Sequence, residues 1–141
     1  MTALSAPLNE GLRLGAALSL LYLFAAVLAF GVGVAHSFLG EKYILMRLFR
    51  RGDLPKLFGG TEFTARTLRF AWHLTSVAWW GAGALLFLLA QGRISSAAVS
   101  GVLAAVFLAS AAISAITSRG RHLAWLVFLA IGVIALYGTR A

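Results

Sequence analysis

The chain has 141 residues, 61% hydrophobic and 11% charged, with no cysteine, a net charge of +8 and a mean hydropathy of +0.92. Soluble domains carry about 25% charged residues, so the composition excludes an ordinary water-soluble globule, and the lack of cysteine excludes disulfides, thiol catalysis and iron–sulfur clusters. The basic residues flank apolar runs instead of forming a solvated face, so anionic lipid head groups are the expected counter-charge and no nucleic-acid partner is expected.

The opening MTALSAPLNEGLRLG lacks the basic n-region of a secretory signal. The apolar run after it, Leu14–Ala35, is longer than a signal core, so it is expected to be retained. Crossing the hydrocarbon takes about 20 apolar residues in a helix. Only a helix satisfies its own backbone groups there without closing into a barrel. Four segments qualify, at about residues 14–39, 66–90, 94–117 and 122–138, within a single domain over 1–141. Between the first two, residues 41–65 form an amphipathic connection. Ile44, Leu45, Leu48 and Phe49 fall within about 140° of arc at about 100° per residue, and Arg47, Arg50 and Arg51 lie outside it. Such a helix is expected to lie in the membrane interface. Thr61 is expected to cap the second span, with Glu62 in its first turn.

The short connections Gln91-Gly92-Arg93 and Ser118-Arg119-Gly120-Arg121 force antiparallel neighbours. The expected fold is therefore all-α, a polytopic antiparallel four-helix transmembrane bundle. Small residues four apart mark expected seams: Ala25, Ala29 and Gly33 on the first span, and Ala97, Gly101, Ala105 and Ala109 on the third. Orientation follows from the cations. Lys42, Arg47, Arg50, Arg51, Lys56, Arg66, Arg69, Arg119 and Arg121 lie on one side, against Arg13, Arg93 and Arg140 on the other. The richer side is cytoplasmic by the positive-inside rule, which puts both termini in the periplasm.

That topology gathers His36, His73 and His122 at the cytoplasmic end, with Glu41, Arg66, Arg69, Arg121 and Trp72 near them. Ionisable residues at membrane depth are costly and usually face partners or a cavity. His36 lies on the small-residue face of its helix and His73 on the Arg66/Arg69 stripe, so the two are expected to face each other and act as one unit. Three ligand readings suit these residue types. Histidines ligate haem iron, with Trp72 and Trp125 as walls and Arg66, Arg69 and Arg121 meeting the propionates. His36, His73, His122 and Glu41 together suit zinc, copper or iron, although no local HxxxH or HExxH spacing supports this. The Arg/His stripe suits an anionic lipid or lipid-linked substrate. Against all three stands a non-catalytic accessory or structural subunit, part of a homo-oligomer or larger membrane complex, whose histidines only join helices.

No paired carboxylates or phosphate-binding glycine loop is present, and the serines of the third span read as small packing residues. The strings HSFLGEKYIL (His36–Leu45) and LRFAWHLTSVAWW (Leu68–Trp80) resemble those of small bacterial four-helix inner-membrane proteins. The resemblance covers the first two spans and implies a bacterial inner-membrane setting, without an activity. It singles out His36, Gly40, Glu41, Trp72 and His73.

Overall fold

The computed structural model describes residues 5–140, and every regular element among them is helical. Met1–Leu4, part of the segment read for a signal, lie outside the described residues, as does Ala141. Helix α1 spans Ser5–Leu39, runs through a π-helical stretch at Gly40–Leu45, and continues as α2, Met46–Arg50. Then come α3 (Glu62–Ala90), α4 (Ser96–Ser118) and α5 (Ala124–Tyr137), the last followed by a 3₁₀ turn at Gly138–Arg140.

Three helical stretches are long and apolar enough to cross a membrane: Glu10–Arg50, Glu62–Ala90 and Ser96–Ser118. Even the last, at 23 residues, reaches about 34 Å at 1.5 Å per residue, against about 30 Å of hydrocarbon. The fourth stretch, Ala124–Arg140, is apolar but shorter.

Residues 41–50 do not break away from the first helix as expected. Leu39 and Leu45 both keep helical backbone angles, so one continuous rod runs to Arg50. The physical reason lies at Gly40, where the Trp72 indole stands in the space a Cβ would fill. The wider π turn lets the chain pass this obstacle without ending the helix. Of the expected apolar arc, Leu45 is buried and Leu48 and Phe49 are half-buried, while Ile44 stays exposed. Thr61 takes the N-cap position of α3 without a side-chain capping bond. Ser95 does cap α4, accepting the Ala98 N–H at 3.1 Å. Arg119 ends α4 in the left-handed region (φ 54°), and the Gly120 N–H returns to the Ala115 carbonyl at 2.8 Å.

Helix α1 packs on α3, α3 on α4, and α4 on α5. Among the described residues no other pair of these four packs more than marginally, so the antiparallel helices form an open row. Their seams combine seven- and four-residue steps. Ala26, Gly33 and Gly40 are buried on α1, with Ala29 against Gly83, and on α4 Ala104, Ala111 and Ser118 are buried together with Ser110 and Ser114, whereas the expected Ala105 and Ala109 are exposed. Four-residue steps drift about 40° around a helix in one direction and seven-residue steps about 20° in the other, so mixing them keeps a seam on a straight neighbour. Outward from the seams, Leu20, Phe24 and Val27 on α1 and Ile134 on α5 are each more than 60% exposed. That surface is compatible with a membrane location.

The glycines give a direct test of the α1/α3 packing. The indoles of Trp80 and Trp72 fill the Cβ positions of Gly33 and Gly40, while Gly31 faces open space. Gly33→Ala and Gly40→Ala are each expected to destabilise the protein by about 1–3 kcal/mol through overpacking. Gly31→Ala should instead stabilise by up to about 1 kcal/mol through helix propensity. Thermal unfolding of the three variants in detergent checks this, and equal midpoints for all three would contradict the seam.

Candidate functional site

Among the described residues, side-chain hydrogen bonds between helices concentrate on the α1/α3 seam. Its frame is set by two tryptophans of α3 that donate to carbonyls of α1: Trp80 Nε1–H to Phe30 O at 3.2 Å and Trp72 Nε1–H to His36 O at 3.0 Å. With each indole seated against a glycine, the two backbones approach closely enough for short side chains to meet.

Serines bridge the histidines. His36 Nδ1 lies 3.1 Å from Ser76 Oγ, Ser37 Oγ donates to Ser76 Oγ at 2.8 Å, and Ser37 Oγ lies 3.0 Å from His73 Nδ1. His73 Nε2 in turn lies 3.5 Å from Glu41 Oε2. Glu41 is held by Arg69 through two contacts, Nη2 to Oε1 at 3.0 Å and Nε to Oε2 at 3.2 Å. This paired-fork geometry fixes the carboxylate more firmly than a single contact. Ser76 is fully buried, whereas Glu41, Arg69 and His73 keep between 29% and 40% of their side-chain surface. The polar row thus runs from an exposed ion pair to a sealed hydroxyl and on to His36.

The His36 ring is sandwiched by aromatic residues. Trp72 stacks on it at 4.3 Å between centroids with 3° between planes, and Trp79 meets it edge-on at 4.9 Å. Two grooves flank the seam. One, of about 570 Å³, is lined by Val34, Phe38 and Trp80, with Glu41, Lys42 and His73 toward its Met46 side and Ser37 between. The other, of about 390 Å³, is lined by His36, Tyr43, Trp72 and Trp79 among apolar neighbours. His36 and His73 therefore belong to one hydrogen-bonded row but open onto different grooves.

The remaining candidates lie elsewhere. His122 stacks on Phe63 and meets Phe70 edge-on, its N–H 3.4 Å from Ser118 Oγ and its Nδ1 accepting from the Ala124 N–H. Arg66 pairs with Glu62 one turn back on its own helix. Arg121 lines a separate cavity of about 270 Å³ with Phe58 and Phe63. Trp125 donates to Gly120 O at the α4–α5 corner, away from Trp72. Among the described residues no three His, Asp or Glu side chains are grouped as a metal site requires. Ser37 and Ser76 are the members of the row that the sequence reading passed over. Their signal was positional: Ser37 follows His36 directly, and Ser76 lies one turn beyond His73 on α3.

No protein-family model, curated protein or solved structure matches the chain.

The row predicts a contrast between its ion pair and a surface one. A double-mutant cycle of Glu41→Gln and Arg69→Met should show a coupling of about 0.5–3 kcal/mol in unfolding free energy. The same cycle on Glu62→Gln and Arg66→Met, where Glu62 is two-thirds exposed, should give no more than about 0.5 kcal/mol. Equal couplings would mean that Glu41 and Arg69 form only a surface pair.

Proposed function

We propose that this chain is an integral membrane protein of four spans that holds the head of an anionic lipid, or of a lipid-linked molecule, at the polar end of the α1/α3 groove. The observation carrying this reading is the groove's composition. Val34, Phe38 and Trp80 offer an apolar wall for an acyl or prenyl chain, and Lys42 and His73, with Ser37 between, lie toward the Met46 side of it. Arg69 offsets the Glu41 charge, so Lys42 leaves that end with a net positive charge. A head group carrying negative charge suits it better than a zwitterionic one. Haem and transition-metal readings have less support, because His36, His73 and His122 line separate places and Glu41 is engaged by Arg69.

The setting we propose is a bacterial inner membrane with both termini periplasmic. The nine-against-three distribution of cations supports it, and so does the resemblance of the His36–Leu45 and Leu68–Trp80 strings. In that orientation the groove's polar end lies at the cytoplasmic leaflet, where anionic lipids and the cations of 42–56 meet. A reporter fused after Ala141 should then read periplasmic and one inserted at Gly59 cytoplasmic. The reverse pair of readings would place the polar end at the other leaflet and remove the setting.

Lipid binding is testable by native mass spectrometry of the protein released from micelles containing phosphatidylglycerol or phosphatidylcholine. Phosphatidylglycerol adducts should persist where phosphatidylcholine adducts do not. Lys42→Gln should weaken them about fivefold, the equivalent of about 1 kcal/mol for one interfacial lysine. Adducts of both lipids in equal amount, unchanged by Lys42→Gln, would leave the groove without head-group selectivity.

A further inference from the structure

Ser37 and Ser76 join two imidazoles that open onto opposite flanks of the seam. The three links between His73 Nδ1 and His36 Nδ1 measure 3.0, 2.8 and 3.1 Å, each within ordinary hydrogen-bonding range. A serine hydroxyl has one proton and two lone pairs and turns about its C–O bond. Two consecutive serines can therefore donate in either direction. In one direction His73 Nδ1–H donates to Ser37, Ser37 to Ser76, and Ser76 to a bare Nδ1 on His36. In the other, every donor and acceptor is exchanged. These two arrangements are the start and the end of a proton passing from His73 to His36.

We infer that Ser37 and Ser76 form a proton wire that carries protons between His73 and His36, from one flank of the α1/α3 seam to the other. The transfer balances without electrons or any heavy-atom bond change. Protonated His73 releases its Nδ1 proton to Ser37 and keeps the Nε2 proton that faces Glu41. Ser37 passes its own proton to Ser76, and Ser76 passes its proton to His36 Nδ1. His36 then holds two protons and returns to neutrality by losing the one on Nε2 at its own flank. Rotation of the two hydroxyls, return of the His36 tautomer from Nδ1–H to Nε2–H and a new proton on His73 Nδ1 together restore the first arrangement.

The surroundings suit this task. Ser76 is fully buried, so the middle of the wire is closed to water. His73 faces Glu41 from the π turn, with Arg69 one turn earlier on its own helix and Lys42 at the groove's end. Charged groups thus flank the wire at the His73 end. Beyond Ser76, the His36 ring meets the rings of Trp72 and Trp79 and opens onto the groove it shares with Tyr43. Histidine chains of this kind are one of the recurring uses of ionisable residues at membrane depth. The inference stands whether or not the groove beside His73 holds a lipid.

Solid-state NMR of the protein labelled with ¹⁵N-histidine, in lipid bilayers, reads the protonation of both nitrogens of each ring. His122→Gln assigns the third set of signals. In the wild type, the Nδ1 signals of His36 and His73 are expected to exchange between their protonated and bare forms at one common rate. Ser76→Ala and Ser37→Ala should each uncouple the two rates, and Ser76→Thr, which keeps the hydroxyl, should couple them again. Independent exchange rates in the wild type, unchanged in Ser76→Ala, overturn the wire. Glu41→Gln supplies a second criterion that leaves both serines in place. It alters only the His73 end, so the His36 signals should shift with those of His73, and unmoved His36 signals overturn the inference independently of how the serine variants fold.

Discussion

Two indoles of α3 seated in two glycine notches of α1 set the distance on which everything else on the seam depends. With Trp80 over Gly33 and Trp72 over Gly40, the helices lie close enough for serine hydroxyls, the shortest polar side chains, to span between them. A Cβ at either glycine would push the indole and its helix outward. The serine–serine bond at 2.8 Å would be lost first, because neither side chain has length to spare. The same indoles satisfy their own N–H groups on α1 carbonyls. Close packing and polar satisfaction thus come from the same residues. Where lipid supplies no hydrophobic drive between helices, packing and interhelical hydrogen bonds are what remains to hold them.

Given that distance, the polar row is a connected network, and connection makes it tolerable. An isolated carboxylate or imidazole at membrane depth is expensive. Here Glu41 meets Arg69 through both carboxylate oxygens, one of which also faces His73, and each histidine Nδ1 on the seam meets a serine. The π turn contributes directly. It carries the rod past Trp72 without a break and keeps Glu41 and the buried Leu45 directed at α3. Contrast the α3/α4 side, where Thr67 Oγ1 and Ser114 Oγ are buried without a hydrogen-bond partner. That seam is held by fit, with Val106 against Gly81, and it has no equivalent row.

Glu41, Arg69 and His73 lie together on the α1/α3 seam, while His36 reaches them only through Ser76 and Ser37. The long helices and their order were legible in the sequence, because hydropathy and charge placement act locally. The serine bridge was not. A serine in an apolar helix reads as a small packing residue until the facing helix is known, and Ser37 and Ser76 acquire a role only through each other. The distant placement of His122 has a similar origin. Its level along the membrane followed from topology, but its neighbours, Phe63 and Phe70, follow from which helices touch, and the open row keeps α1 away from α5. Arg66 illustrates a competition that azimuth does not decide. It shares a stripe with Arg69, yet Glu62 lies one turn back on the same helix and binds it first. Of the small residues four apart, Ala29 and Gly33 do pack on α3, while Ala105 and Ala109 are exposed because four-residue steps drift around the helix.

Register adds one constraint on how the protein sits in a bilayer. Gly83 of α3 packs against Ala29 and Phe30 of α1, and the helices run antiparallel, so Ala90, seven residues further on, ends level with about Leu23. The stretch of α1 before that point extends about 20 Å beyond α3 at 1.5 Å per residue from residue 10. Its Leu12, Leu14 and Leu20 are all more than 60% exposed. At the opposite end the rod continues through the cationic residues Lys42, Arg47 and Arg50. The hydrocarbon layer is about 30 Å thick and cannot hold the whole rod upright. Tilt is the usual accommodation for a span longer than its bilayer. Tilting α1 carries the α1/α3 seam with it, because the two tryptophans lock the helices together. In the proposed membrane setting, the depth of His36 and His73 is thus set by the leucine-rich end of α1 as much as by the cations at its other end.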